Sequence, residues 1–324
     1  MASDISSRPA TAQPIVTLTI NPALDISTST PRVIKDHKMR CGPSRIDPGG
    51  GGVNVARTIH KLGGGALAIY AAGGLTGATY RQLLEAEGVP SLAVPIAGTT
   101  RESFTVDENE SSEQFRFVLQ GPEFSEAEWR SCLATLEGSI IPGGYVVASG
   151  SLPPGVPTDF YAQVARLAHR RGARSIVDTS GEALTDALAE GVYLVKPSLR
   201  ELSELVGREL TSEQSEVDAA AELVTRGSAQ LVALTLGEAG AVLASAAGVI
   251  RLPVPQVRVQ SAVGAGDAFL GAFVWRLSQG RDPETAFRSA VAAGSATAAK
   301  PATEMCALTE VEALEKLLPE ATRY

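Results

Sequence analysis

The sequence predicts an α/β fold built on a parallel sheet, with a small separate β-layer. Three observations carry this expectation. Short apolar runs alternate with glycine-terminated helical segments from Tyr145 onward, and two stretches nearer the start lack any helical period. The composition, 44% hydrophobic and 20% charged over 324 residues, is that of a chain able to bury a large core.

Taken in order, residues 1–13 are rich in Ser, Thr and Ala and lack the apolar segment of a signal peptide, so they read as a disordered leader ahead of one domain over 14–324. Ile15 to Ile20 has the pattern of a strand. Asp25 to Pro48 is polar and contains proline, without helical spacing, and residues 92–118 are likewise helix-poor. Within the latter, Arg101 to Val106 and Gln114 to Leu119 read as strands joined by the polar turn Asp107 to Glu113. Segments 25–48 and 92–118 are therefore expected to leave the main sheet and pair with each other. A sheet of so few strands needs a partner surface, either a cleft or a second subunit.

Four apolar runs follow, Tyr145 to Ala148, Ser175 to Asp178, Tyr193 to Val195 and Leu231 to Leu236. Between them lie the amphipathic segments Asp159 to Arg171, Leu199 to Val206 and Ser215 to Arg226. Gly172, Gly207 and Gly227 stand at their C-terminal caps.

Charge and cysteine usage narrow the function. A formal net charge of -8 without a basic patch argues against a nucleic-acid partner. No apolar run reaches the roughly 18 residues that a membrane span needs. Cys41, Cys132 and Cys306 form no CxxC pair, and His37, His60 and His169 stand in no metal-binding spacing. A reducing, cytoplasmic setting fits these features.

Four motifs carry chemistry. Pro48-Gly49-Gly50-Gly51-Gly52-Val53-Asn54 runs into a helical pattern that ends at Gly63. Such a glycine run is either a flexible linker or a place where backbone N–H groups approach a ligand at a helix start. In Ser261-Ala262-Val263-Gly264-Ala265-Gly266-Asp267, the aspartate alone reads as a helix cap. With its glycines it reads as a carboxylate at the edge of an anion-binding nest, suited to a transferring phosphoryl group. Val195-Lys196-Pro197-Ser198-Leu199-Arg200-Glu201 sits where a strand gives way to a helix, the ligand edge of an open sheet, or is an ordinary proline turn. Thr235-Leu236-Gly237-Glu238-Ala239-Gly240 reads equally as a glycine hairpin. Neither GxxxxGK[ST] nor GxGxxG occurs, which removes the main support for a P-loop or a dinucleotide fingerprint.

These motifs, with Thr17-Leu18-Thr19, Asn21-Pro22-Ala23-Leu24-Asp25, Ser149 to Gly155 and Val177 to Gly181, resemble the ribokinase-like, or PfkB, family of carbohydrate kinases. The similarity runs from about Thr17 to Met305 and is nearest to the 6-phosphofructokinase branch. It implies a three-layer α/β sandwich with a mainly parallel central sheet and a β-lid, and a homodimer formed through that lid. It also implies ATP and Mg2+ as cofactors and transfer of a phosphoryl group to a sugar phosphate.

By that resemblance Asp267 is the catalytic base and Gly264, Ala265 and Gly266 form its anion hole. Asp25, Gly50, Gly51 and Asn54 match positions that hold sugar hydroxyls. Lys38, Arg101 and Ser151 match contacts to the substrate and its existing phosphate. Lys196, Ser198, Thr235, Gly237 and Gly240 fall on the nucleotide side, and Glu201 matches a glutamate associated with Mg2+ through water.

The sequence departs from the family in three places. Ser198 stands where the family has Asn, and Ser261-Ala262 where many members have Asp or Ser followed by Thr. Lys300 stands where an Asn borders a potassium loop formed with Ser261 and Val263, so its ammonium is expected to weaken or replace a K+ ion.

The lid cations and the absence of lysine in Gly49 to Gly52 put fructose 6-phosphate, converted to the 1,6-bisphosphate in glycolysis, ahead of tagatose 6-phosphate and fructose 1-phosphate. A non-catalytic sugar-phosphate or ATP sensor is the competing class, and a nicotinamide-dependent oxidoreductase is more distant still.

Overall fold

The computed structural model describes residues 12–111 and 113–324, so the expected leader lies almost wholly outside the described residues. The chain opens on β1 (Ile15–Thr19), which alternates between two apolar cores: Ile15 joins one, Val16 and Leu18 the other. Next come β2 (Ala23–Thr30) and β3 (Arg45–Gly49), and after the single residue Gly50 the helix α1 (Gly51–Lys61) begins. β4 (Leu67–Ala72), α2 (Gly74–Glu87), β5 (Ser91–Pro95), β6 (Arg101–Glu108) and β7 (Gln114–Val118) follow.

Strands and helices then alternate through α3 (Glu126–Ser139), β8 (Tyr145–Ser149), α4 (Phe160–Arg170), β9 (Arg174–Asp178), α5 (Gly181–Ala189) and β10 (Val192–Val195). After α6 (Leu199–Val206), α7 (Glu213–Thr225) and β11 (Ala229–Thr235) come the hairpin strands β12 (Ala241–Ser245) and β13 (Gly248–Leu252). The chain closes with α8 (Ala265–Ser278), α9 (Pro283–Ala298), α10 (Leu308–Glu315) and β14 (Thr322–Arg323).

Ten strands form the main sheet, in the order β14-β13-β12-β11-β10-β9-β8-β1-β4-β5. It is parallel from β5 to β11 and antiparallel from β12 onward. Side chains of α1, α8 and α9 pack on one face and those of α3, α4, α5 and α7 on the other, which makes three layers. From β1 the chain winds outward through β4 and β5 on one side and, later, through β8 to β11 on the other. The reversal of strand order between β1 and β8 opens a crevice at their C-terminal ends.

A second sheet, β3-β2-β6-β7, stands over that crevice. Its register aligns Asp47, Asp25, Ser103 and Val118 in one row across the four strands, and Ile46, Ile26, Phe104 and Phe117 in the next. Successive rows face opposite ways, so one face carries the acidic and polar row and the other an apolar row with Ile46 and Phe117 exposed.

The lid differs from expectation at its second segment. Residues 92–95 belong to β5, which pairs in parallel with β4 in the main sheet, so the lid part begins only at Arg101. Among the described residues no helix is long and apolar enough to cross a membrane.

Candidate active site

Two helix N-termini meet at the crevice, and neither is capped by its own side chain. At α1 the N-cap is Gly50, with φ 119°, and the backbone N–H of Val53 is satisfied from outside by Thr19 Oγ1 at 2.8 Å. At α8 the N-cap is Gly264 in the left-handed region, φ 78°, which places Asp267 in the first helical turn rather than at the cap.

The tetraglycine segment is a matter of space. A Cβ on Gly49 would lie 1.9 Å from Asp25 Oδ2, one on Gly51 2.1 Å from Ser149 Oγ, and one on Gly52 2.6 Å from the Leu18 carbonyl. The linker reading therefore fails, because each of these glycines is pressed against a neighbour. The two helices run equally close, since a Cβ on Gly271 of α8 would meet the Thr58 side chain and the Val55 carbonyl of α1 at 2.9–3.0 Å.

Between these helix ends and the lid lies a cavity of about 340 Å³. It brings together Asp25, Gly50, Gly51, Asn54, Arg101 and Ser151 on the expected sugar side with Glu201, Val263, Gly264 and Asp267 on the other.

Asp267 is the focus of the electrostatics. Burial, then the negative Asp178, push its carboxyl up to about 7, against the hydrogen bond from Asn54 and the charge of Lys196. Asn54 Nδ2 donates to Asp267 Oδ2 at 2.9 Å, leaving its second amide hydrogen for a ligand. Asp25 is pushed up to about 6, again mainly by burial, with Arg101, Arg57 and Arg116 opposing.

Lys196 lies behind the α8 N-terminus, its Nζ 3.1 Å from Asp178 Oδ1 and 3.5 Å from where a Cβ on Gly266 would be. Burial lowers its pKa, but Asp178, then Asp267 and Glu201, lift it further, and it stays a cation.

Arg101 donates to the Leu119 carbonyl at 3.0 Å and the Asn21 carbonyl at 3.1 Å, while its buried Nε has no partner. Asn21 in turn donates to Ser151 Oγ at 3.1 Å.

On the nucleotide side, Ser198 caps α6. Its Oγ accepts from Glu201 N, while Glu201 Oε2 accepts from Ser198 N and Oγ, each at 2.8 Å. One carboxylate oxygen of Glu201 is thus spent on the cap and the other is left for water. Thr235 pairs with Ser198 in an isolated bridge and donates to the Pro197 carbonyl. Thr235, Gly237 and Gly240 stand beside this turn, outside the cavity lining. Among the described residues no three acidic, His or Cys side chains are grouped as a protein-held metal site. Mg2+ bound by one or two carboxylates and a nucleotide's own phosphates is compatible with this set. The uncapped N–H groups of α8 beside the Lys196 ammonium likewise suit a phosphate chain.

Lys38 and Lys300 stand outside the cavity lining. Lys38 is exposed in the β2–β3 loop and does not line the cavity. That loop leaves the lid beyond Thr30, five residues past Asp25, roughly 17 Å along the strand. Lys300 is bonded through its ammonium to Glu310 and also faces Glu304, so it is engaged away from the Ser261–Val263 loop it was expected to fill.

The sequence reading missed Arg116 on β7, which lines the cavity on the same face as Thr105, and Asp178, the buried partner of Lys196. Asp178 stood in a quoted motif but without a role. Arg116 had only its place in a lid strand to mark it.

A carboxylate of raised pKa at an uncapped helix start, faced by a cationic lid, is the equipment of a kinase that phosphorylates a hydroxyl. The comparisons fix which kind. Residues 19–310 match the pfkB family carbohydrate kinase description, and the chain belongs to that family.

It is 46% identical over 308 residues to the ATP-dependent 6-phosphofructokinase isozyme 2 of Mycobacterium tuberculosis, covering 95% of this chain and 91% of that one. Solved structures of phosphofructokinase-2 from Escherichia coli superpose closely. The complex with fructose-6-phosphate has a TM-score of 0.89 at 41% identity and the complex with potassium 0.90 at 42%, each covering 94% of this chain and 99% of that one. The fold is accordingly the ribokinase-like sandwich, and the chain is an ATP-dependent sugar-phosphate kinase.

Proposed function

We propose that this kinase phosphorylates fructose 6-phosphate to fructose 1,6-bisphosphate, with Asp267 as the base. The observation that supports this most is the placement of Asp267 at the α8 N-terminus, hydrogen-bonded to Asn54 and facing the lid arginines across one cavity. ATP supplies the phosphoryl group when bound, and Mg2+ offsets its charge.

The residues divide the work. Asp25 and the free amide hydrogen of Asn54 orient the sugar hydroxyls, and Arg101 with Arg116 holds the existing phosphate dianion. Asp267 takes the proton of the acceptor hydroxyl, while the N–H groups of Ala265 and Gly266 and the Lys196 ammonium stabilise charge on the moving group. Glu201 would hold Mg2+ through water. With Lys300 held by carboxylates, the Ser261–Val263 loop is left for a potassium ion.

The test is a panel of phosphosugars assayed for ADP release. Fructose 6-phosphate is expected to lead, ahead of tagatose 6-phosphate and fructose 1-phosphate. Arg101→Ala should raise its KM by about 10- to 100-fold, the loss of a charge-assisted contact of roughly 1.5–3 kcal/mol. A panel in which an unphosphorylated sugar wins would reject this substrate.

The apolar outer face of the lid, with Ile46 and Phe117 exposed at the two ends of one row, fits a homodimer formed by two lids. Phe117→Glu should shift the sedimentation coefficient from dimer to monomer; an unchanged value would place the interface elsewhere.

A further inference from the structure

Arg57 is a buried cation that none of the roles above uses. Its side chain is 3% exposed, and it makes four hydrogen bonds through its three nitrogens. Nε and Nη2 bind the two oxygens of Glu87 at 2.7 and 2.6 Å, a bidentate fork. Nη1 donates to the Pro48 carbonyl at 3.0 Å and to Asn54 Oδ1 at 3.1 Å, and Nη2 also faces Asp47 Oδ1 at 3.8 Å.

Glu87 is the last residue of α2, at the negative end of the helix dipole, where a carboxylate is disfavoured unless a cation answers it. Asn54 and Arg57 are three residues apart on α1 and so share a face.

The consequence lies in the orientation of an amide. A guanidinium has no acceptor, so the atom of Asn54 that meets Arg57 must be the carbonyl oxygen. The NH2 group is then turned toward Asp267 Oδ2. Without the clamp the Asn54 amide can rotate and present its oxygen to the carboxylate, which replaces an attraction by a repulsion.

We propose that Arg57, held by Glu87, is a positioning residue for the base: it fixes the Asn54 amide so that Asp267 keeps one oxygen hydrogen-bonded and the other free for the acceptor hydroxyl. This inference rests on Asp267 acting as the base.

The other groups facing Asp267 are Asp178 at the end of β9, Lys196 after β10 and Asp25 on β2, with Glu201 of α6 lining the same cavity. None of them touches Arg57 by hydrogen bond or ion pair, and although the Arg57 charge reaches Asp25, Arg57→Lys keeps that charge.

The experiment compares the wild type with Arg57→Lys, Asn54→Ala, the double variant and Glu87→Gln. Arg57→Lys should lower kcat on the order of 10- to 100-fold through misplacement of the base, with KM for ATP unchanged. The acid limb of the kcat/KM profile, centred near 7 in the wild type, should move to higher pH in Arg57→Lys and Asn54→Ala alike. In the Asn54→Ala background Arg57→Lys should cost almost nothing more. Glu87→Gln, at a half-buried position, should shift the limb the same way but less.

Losses that multiply in the double variant, or a lowered Tm with an unmoved limb, would overturn the clamp and leave Arg57 a structural ion pair. A 13C titration of the Asp267 carboxyl in the wild type and Arg57→Lys reads the same shift without turnover. An inactive wild type would thus count against the proposed function, while the clamp is still judged by whether that titration moves.

Discussion

Asp267→Asn is expected to lower kcat by about 10²- to 10⁴-fold, the range for loss of a general base, with fructose 6-phosphate binding nearly intact. Uncapped N–H groups and Lys196 remain to hold the phosphate, so residual turnover should exceed the solution reaction. Binding measured by intrinsic fluorescence alongside ADP release separates this outcome from misfolding. Equal turnover in the two proteins would remove Asp267 from the mechanism.

The same variant should be more stable than the wild type at pH 8. Burial raises the Asp267 carboxyl from 3.8 to about 7, so the native state favours its neutral form. Stability linked to this group is present at low pH, is lost as pH rises from about 4 to about 7, and stays lost above. An amide carries no such charge. The thermal midpoint at pH 8 should therefore rise on the order of 2–4 °C, and the gain should shrink as pH falls toward 5.

Lys196→Met should have the largest effect on stability. It leaves Asp178 and Asp267 buried without their shared cation, and removing one partner of a buried pair costs about 3–5 kcal/mol. Both carboxyls are raised in pKa, so they can shed their charge by protonation. The destabilisation should then be greatest above pH 8 and smaller at pH 6, measured by urea unfolding at the two values. A loss of stability independent of pH would mean that lost packing, not charge, is responsible. In kcat a fall of about 10²- to 10³-fold is expected, the cost of one electrostatic donor at the transferring group.

The α/β half was legible because its strands are buried on both faces and its helices stop at glycine. Leu199–Val206 was read to the residue, and the four apolar runs agree with β8 to β11 to within two residues at each end. The lid was harder. β2 and β3 carry Asp25, Arg45 and Asp47 on the cavity side and only Leu24, Ile26 and Ile46 as apolar positions opposite, before the polar run 27–30 and Pro48, so the alternation is too short to read as strand.

β5 was joined to the lid because only Val94 of its five residues is buried, the pattern of an edge strand that no single sequence assigns to a sheet. Asp267 and the tetraglycine segment could be picked out because their chemistry is concentrated in a few consecutive residues. The Asp178–Lys196 pair and the Glu87–Arg57 pair could not, because each joins residues far apart in sequence that only the fold brings together.

The passage from β3 to α1 is one residue long, and that residue is pressed between Thr19 and Pro22. There is no slack between the sheet that covers the cavity and the helix that floors it. Added length should therefore be absorbed in the long exposed loop after Thr30, between β2 and β3, and in the stretch between Pro95 and Arg101. An inserted residue at Gly50 would instead displace the start of α1 and pull Asn54 off the carboxylate it holds.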